Sequence, residues 1–266
     1  MKKKSFFKFL SSKFQTIHID NLELQSPRFG HGLPSHSILY TTININRELY
    51  ASTLRDLLHI SDSLQQIKDH KDEIDNEQPT WNSRSLKTLD IVALYGVVSK
   101  FKPTRFVQIG EGEYTKVAKK AILDSKLSTK ISTVDLTRLD HIQTLINDLK
   151  ENDILFIDNS HSHFSNSTAK ICFLEILPFL KKGVIVHFSD IYLPSDYPQS
   201  MSNRFCSEQY LLATLLMANP DKYRTIFPNY FISEDKDLIS ILDPIWDHEN
   251  LKNVEKSGVS FWIQIG

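Results

Sequence analysis

Three acidic residues stand where short apolar runs end. Asp135 closes the run at 131–134, Asp158 follows Ile154-Leu155-Phe156-Ile157, and Asp190 follows Val186-His187-Phe188-Ser189. If those runs are parallel strands, the acids lie outside the carboxyl ends of the sheet, where open α/β folds bind ligands. A carboxylate at Asp135 can accept both hydroxyl hydrogens of a ribose, and Asp also serves well as a helix N-cap. Asp158 and Asp190 follow neighbouring strands and should face one cleft. There they either hold Mg²⁺ or another hard cation as a pair, or cap their own loops. His161 lies just beyond Asp158 and titrates near neutral pH, which suits a base that removes a hydroxyl proton. His187, one turn of strand before Asp190, belongs either to the acceptor side of the cleft or to the core. Arg204 and Glu208 come later, in a loop-to-helix segment that can reach the same acceptor side. An acid such as Glu208 is also favoured in a helix's first turn for its own sake.

Gly110-Glu111-Gly112 follows the apolar run Arg105-Phe106-Val107-Gln108-Ile109 and opens a helical stretch. Glycines there let the chain turn sharply and approach a ligand closely, although the same pattern serves any tight turn. A dinucleotide fingerprint needs a third glycine near Lys116, where there is none. Glu111 and Glu113 would also set negative charge beside a pyrophosphate that wants bare backbone at a helix N-terminus. A nicotinamide-dependent oxidoreductase is therefore disfavoured. A sulfonium nucleoside, positively charged and free of phosphate, tolerates these neighbours.

The elements that must hold these residues alternate along the chain. Strands are expected at 105–109, 131–134, 154–157 and 184–188, and helices at 86–100, 114–127, 139–150, 169–180 and 208–217. Strands apolar throughout belong to a parallel sheet covered on both faces, and the strand-helix repetition means a doubly wound sheet. Residues 223–232 and 259–265 read as a final antiparallel pair. Before Pro79 the pattern differs. Residues 37–45 (SILYTTINI) are β-branched and read as extended, and 48–74 carry Tyr50, Leu54, Leu57, Leu58, Leu64 and Ile67 at helical spacing. This divides the chain into an N-terminal extension at 1–80, with a basic tail at 1–15, and a main domain at 81–266. The extension is read as an added helical layer or a subunit surface, which allows a homo-oligomer.

Composition narrows the classes. The 31 Lys+Arg residues nearly balance 32 Asp+Glu, without the basic excess of a nucleic-acid binder. Cys172 and Cys206 are the two cysteines and form neither a disulfide framework nor a zinc spacing, so a reducing, cytoplasmic setting is expected. Lys8 and Lys13 interrupt the apolar start that a secretory signal needs, and no apolar run reaches membrane-spanning length, so stable membrane insertion is not expected.

Residues 106–115 (FVQIGEGEYT) resemble the first motif of class I methyltransferases. The lead-in from Trp81 through Asp90, Ala93, Leu94 and Tyr95 resembles a bacterial branch called methyltransferase family 24. So do 153–161 (DILFIDNSH), 173–178 (FLEILP), 186–191 (VHFSDI), 208–212 (EQYLL) and 258–262 (GVSFW). The resemblance implies a Rossmann-like, seven-stranded sheet with S-adenosylmethionine over Gly110 and Gly112, flanked by Gln108, Glu111 and Asp158. It also implies Asp135 on the ribose. By similarity to catechol-type O-methyltransferases, Asp158 and Asp190 stand where metal-ligating acids stand, with His161 near the proton acceptor. Ile191 departs from that pattern by replacing an amide-bearing ligand. Gln108 replaces a usual acid that positions the methionine part. Only 139–152 separate the ribose strand from the next, so the edge strand beside the adenine is expected to be lost or shortened. The expected activity is methyl transfer to a hydroxyl of a small-molecule acceptor. The alternative is a methyltransferase-like binding or scaffold protein without catalysis.

Overall fold

Four-residue runs that are apolar at every position can be satisfied only between two covering layers. In the computed structural model, which describes residues 26–73, 75–83, 86–110, 112–158, 168–203, 206–251 and 254–266, they sit there. The described chain begins with α1 (Ser37–Asn44), α2 (Arg47–Leu57) and α3 (Ser61–Gln65), then a small parallel pair, β1 (Lys68–Asp69) and β2 (Thr80–Trp81). The main sheet takes β3 (Arg105–Ile109), β4 (Lys130–Thr133), β5 (Ile154–Ile157), β6 (Ile185–Phe188), β7 (Tyr223–Pro228) and β8 (Phe261–Ile265). Their order is β4-β3-β5-β6-β8-β7. The first four are parallel, β8 runs antiparallel to β6, and β7 antiparallel to β8. This mixed but largely parallel sheet flanked by helices is consistent with a Rossmann-like fold, and it includes the expected antiparallel C-terminal pair.

Helix α4 (Thr88–Phe101), buried along almost its whole length, packs beside α5 (Tyr114–Asp124), which links β3 to β4. Helix α6 (Leu139–Asp148) links β4 to β5. Residues 139–152 hold that helix and no strand, so the main sheet ends at β4. Between β5 and β6 lies α7 (Thr168–Lys170), which runs into a π-helical turn, Ile171–Ile176, and a 3₁₀ turn, Leu177–Phe179. The short α8 (Gln199–Ser202) and α9 (Glu208–Ala218) precede β7. Then α10 (Asn229–Glu234), α11 (Lys236–Ser240) and α12 (Asp243–Trp246) precede β8.

Two buried carboxylates tie these parts together. Asp153 accepts from the backbone N–H of Arg105 at 2.8 Å and of Lys150 at 3.0 Å, fastening the start of β5 to the start of β3. Asp90 lies inside α4, and its Oδ1 accepts from Val259 N, Ser260 N and Asn229 Nδ2 at 2.9, 2.8 and 2.7 Å. Gly258 makes that approach possible, because a Cβ there would stand 2.6 Å from Asp90 Oδ1.

Two expectations change. Residues 37–45 are not extended. Packing overrides their β-branched propensity: Leu39 and Ile43, four apart, are buried on one face, and Thr41 and Thr42 turn their hydroxyls back onto Ser37 O and Ile38 O. The N-terminal extension is thus helical where a strand was expected, and Leu39, Ile43, Tyr50 and Leu54 join the same apolar core as the sheet. The strand expected at 223–232 ends at Pro228, and its second half is α10.

Candidate functional site

The site is built where β3, β4 and β5 end. Gly110 leaves β3 with φ +91°, a backbone conformation that favours glycine. A Cβ on Gly110 would stand 2.6 Å from the Asp158 carbonyl oxygen, and one on Gly112 2.6 Å from Asp158 Oδ2. Gly110 is therefore needed for the end of β5 to close against the turn, whereas at Gly112 the Asp158 carboxylate can swing aside. Gln108 is buried beneath it. Its Nε2 donates to Gly110 O at 2.7 Å, and its Oε1 accepts from Thr115 Oγ1 at 2.6 Å, so its amide braces the turn from within. Glu111 lies outside the described residues.

Beside the turn is a cavity of about 520 Å³ lined by Gly110, Asp135, Leu136, Leu139, Ile171 and Glu175 among others. It falls within the range of small-molecule sites. Asp135 is exposed at its wall. Both hydrogen bonds to Asp135 fall on Oδ1, from Thr137 N at 2.9 Å and Thr137 Oγ1 at 2.7 Å, and they hold its carboxyl below the usual range. Oδ2 accepts no hydrogen bond among the described residues, so a carboxylate oriented by Thr137 keeps one oxygen for a ligand hydroxyl.

A second cavity, about 350 Å³, is lined by Tyr114, Asp190, Tyr192, Thr88, Lys87 and Glu255 among others. Asp190 has φ +57°. Burial raises the Asp158 carboxyl, and the charge of Asp190 raises it further; Ser189 Oγ, 3.4 Å from Oδ1, acts in the opposite sense. The two acids thus share a neighbourhood, as the sequence implies. No group of three or more His, Cys, Asp or Glu side chains among the described residues could hold a metal ion. The Mg²⁺ role of Asp158 and Asp190 rests on the sequence resemblance alone.

His187 belongs to the core. It is fully buried, stacks on Phe156 with centroids 3.8 Å apart and planes 3° apart, and bonds Ser260 Oγ through Nε2 at 2.8 Å. Burial pushes its imidazole down to about 3, so it is neutral, and it does not line the 350 Å³ cavity. Glu208 opens α9, with Oε2 accepting from Ser207 N at 3.0 Å, and lies outside the lining of that cavity. His161 and Arg204 lie outside the described residues.

Sequence reasoning missed Asp90 and Tyr114 as parts of the site's foundation. Tyr114 donates to Asp90 Oδ2 at 3.4 Å, and its phenol is raised well above the ordinary value by burial, then by Asp90, Asp158 and Asp190. It also lines the 350 Å³ cavity. The signal was present: Asp90 is a lone acid in a helix of Leu, Ile, Val and Ala, and a buried charge requires partners.

No family model matches the chain, and neither does any curated protein. Among solved structures it is similar to the O-methyltransferase TomG from Streptomyces achromogenes, involved in tomaymycin synthesis and crystallised with SAM. Identity is 12% over 89% of this chain and 93% of that chain, with a TM-score of 0.35. A likeness at that level assigns no residue a role.

Proposed function

We propose that the chain is a class I methyltransferase that moves the methyl group of S-adenosylmethionine to a hydroxyl of a small molecule. One observation carries this reading: the 520 Å³ cavity joins the Gly110 turn to Asp135, the pairing that a nucleoside with a short charged arm requires. S-adenosylmethionine supplies an electrophilic methyl on a positive sulfur. The acceptor oxygen forms a bond to that carbon, the carbon–sulfur bond breaks with its electron pair going to sulfur, and the hydroxyl proton passes to a base. The protein contributes alignment and proton removal. Asp135 holds the ribose, and the Gln108-braced turn carries the amino-acid arm. Asp158, packed against Gly110 and Gly112, lends a charge that favours a sulfonium, and the cavity of Tyr114 and Asp190 receives the acceptor. His161, three residues beyond Asp158 in sequence, is the proposed base.

The non-catalytic alternative draws support from Asp158, which closes against Gly110 and Gly112 and narrows the space above them. Methyl transfer from isotopically labelled S-adenosylmethionine to a panel of small hydroxylated acceptors separates the two readings. Labelled product is expected, and His161→Ala should lower turnover about a hundredfold with unchanged cofactor affinity. Equal turnover in that variant removes His161 from the mechanism. Saturable cofactor binding with no product from any acceptor favours the non-catalytic reading.

A further inference from the structure

A third cavity, about 290 Å³, lies where the N-terminal segment meets α10, and it shares no lining residue with the two described above. Four aromatic side chains line it in two tilted pairs: His31 with Tyr230, ring centroids 6.3 Å apart, and Tyr40 with Phe231, 5.6 Å apart. Two carboxylates, Glu234 and Asp235, share the lining, and no lysine or arginine among the described residues does. Asp235 is already committed. It pairs with Arg47 through both oxygens and caps α11 by accepting from Asp237 N and Leu238 N at 3.1 Å. Glu234 ends α10 and makes no hydrogen bond or ion pair with another described residue. Its charge is felt at Tyr230, whose phenol is raised by burial first and by Glu234 next. The facing wall is fixed in place. Gly30 N donates to Pro34 O at 3.1 Å, Leu33 N to Gly30 O at 2.9 Å, and His31 Nε2 to Asp196 O at 2.9 Å. The turn that carries His31 is thus closed on itself and tied to the loop after Asp190.

We propose that this cavity binds an organic ammonium ion, a quaternary or methylated amine, with its positive head against the aromatic rings and Glu234 as its counter-charge. The rings of Tyr40, Tyr230 and Phe231 carry negative π-faces that attract a cation. An excess of carboxylate repels anions, and an uncharged ligand would leave Glu234 without a partner. A metal ion would need several oxygen ligands, and Glu234 is the one lining carboxylate not already bonded. A methylated ammonium spreads its charge over an apolar surface, so one ligand satisfies both the rings and the acid. The proposal stands apart from the methyl-transfer reading, because none of its residues belongs to that site.

Titration with choline at constant ionic strength, followed by nuclear magnetic resonance, tests this. The comparison probe is the uncharged carbon isostere of choline, in which a tert-butyl group replaces the trimethylammonium group. Choline should shift the amide signals of Gly32, Tyr230 and Glu234 saturably, with an affinity about tenfold above that of the isostere. Glu234→Gln and Tyr230→Leu should each weaken choline about three- to tenfold and leave the isostere within about twofold. Glu234 is exposed at the end of α10, so Glu234→Gln decides the matter if Tyr230→Leu does not fold. Equal affinities for choline and the isostere would make this an apolar pocket without cation recognition and overturn the proposal. Choline affinity unchanged in Glu234→Gln, or no saturable shift of those signals in the wild type, would overturn it as well.

Discussion

Two buried titratable side chains, Asp90 and His187, set opposite pH dependences on stability. Burial raises Asp90 to about 6 against the bonds it accepts. Its stabilising effect is therefore complete below the unfolded value near 3.8 and is lost as pH rises through about 6, a change of about 3 kcal/mol. His187 is held down near 3, so its contribution is complete above the unfolded value near 6.5 and is lost as pH falls toward 3. Between pH 4 and 6 the two oppose each other. Thermal melts across that window should show Asp90→Asn losing stability on acidification more steeply than wild type. His187→Gln should instead gain stability on acidification. Parallel curves for all three proteins would contradict the assignment. At Gly110, any side chain meets both the positive φ and the Asp158 carbonyl oxygen, so Gly110→Ala should cost about 1–3 kcal/mol in chemical denaturation. No loss would mean the turn can relax away from β5.

At the scale of elements, Asp153 and Lys102 are the sharpest tests. Asp153→Ala leaves the N–H groups of Arg105 and Lys150 without their acceptor and should destabilise by about 2–3 kcal/mol, read as a lowered denaturation midpoint. Lys102 ends α4 with φ +48°, exposed, its N–H on Val98 O. Lys102→Gly should raise stability by about 0.5–1 kcal/mol, and a loss would contradict the cap. The strands of the main sheet were legible because apolar runs such as Ile154-Leu155-Phe156-Ile157 have one home in such a fold, between layers. The helix at Ser37–Asn44 was not legible. Its β-branched residues signal extension locally, and only the core into which Leu39 and Ile43 pack reverses that preference. The π-helical turn was also invisible, because an extra residue in a turn leaves no mark on an apolar pattern.

Over the whole molecule, the N-terminal segment is fastened to the loop that follows Asp190. Asp196 Oδ2 accepts from Arg28 N and Phe29 N at 2.7 and 3.1 Å, and His36 N donates to Pro194 O at 3.1 Å. Sequence alone could not show this, because the partners lie more than 150 positions apart. The gathering of Gly110, Asp135 and Asp158 at one end of the sheet was legible, because strand ends converge there in any parallel α/β fold. The placement of His187 was not legible, since a histidine near a strand end can point into the core or into the cleft. The central claim, that the cavity beside Gly110 and Asp135 holds S-adenosylmethionine, is tested most directly by calorimetric titration of wild type and Asp135→Ala with that cofactor. The account predicts saturable binding of one equivalent, weakened about tenfold or more in the variant by the lost ribose hydrogen bonds. No binding by wild type, or equal affinity in the variant, would contradict it.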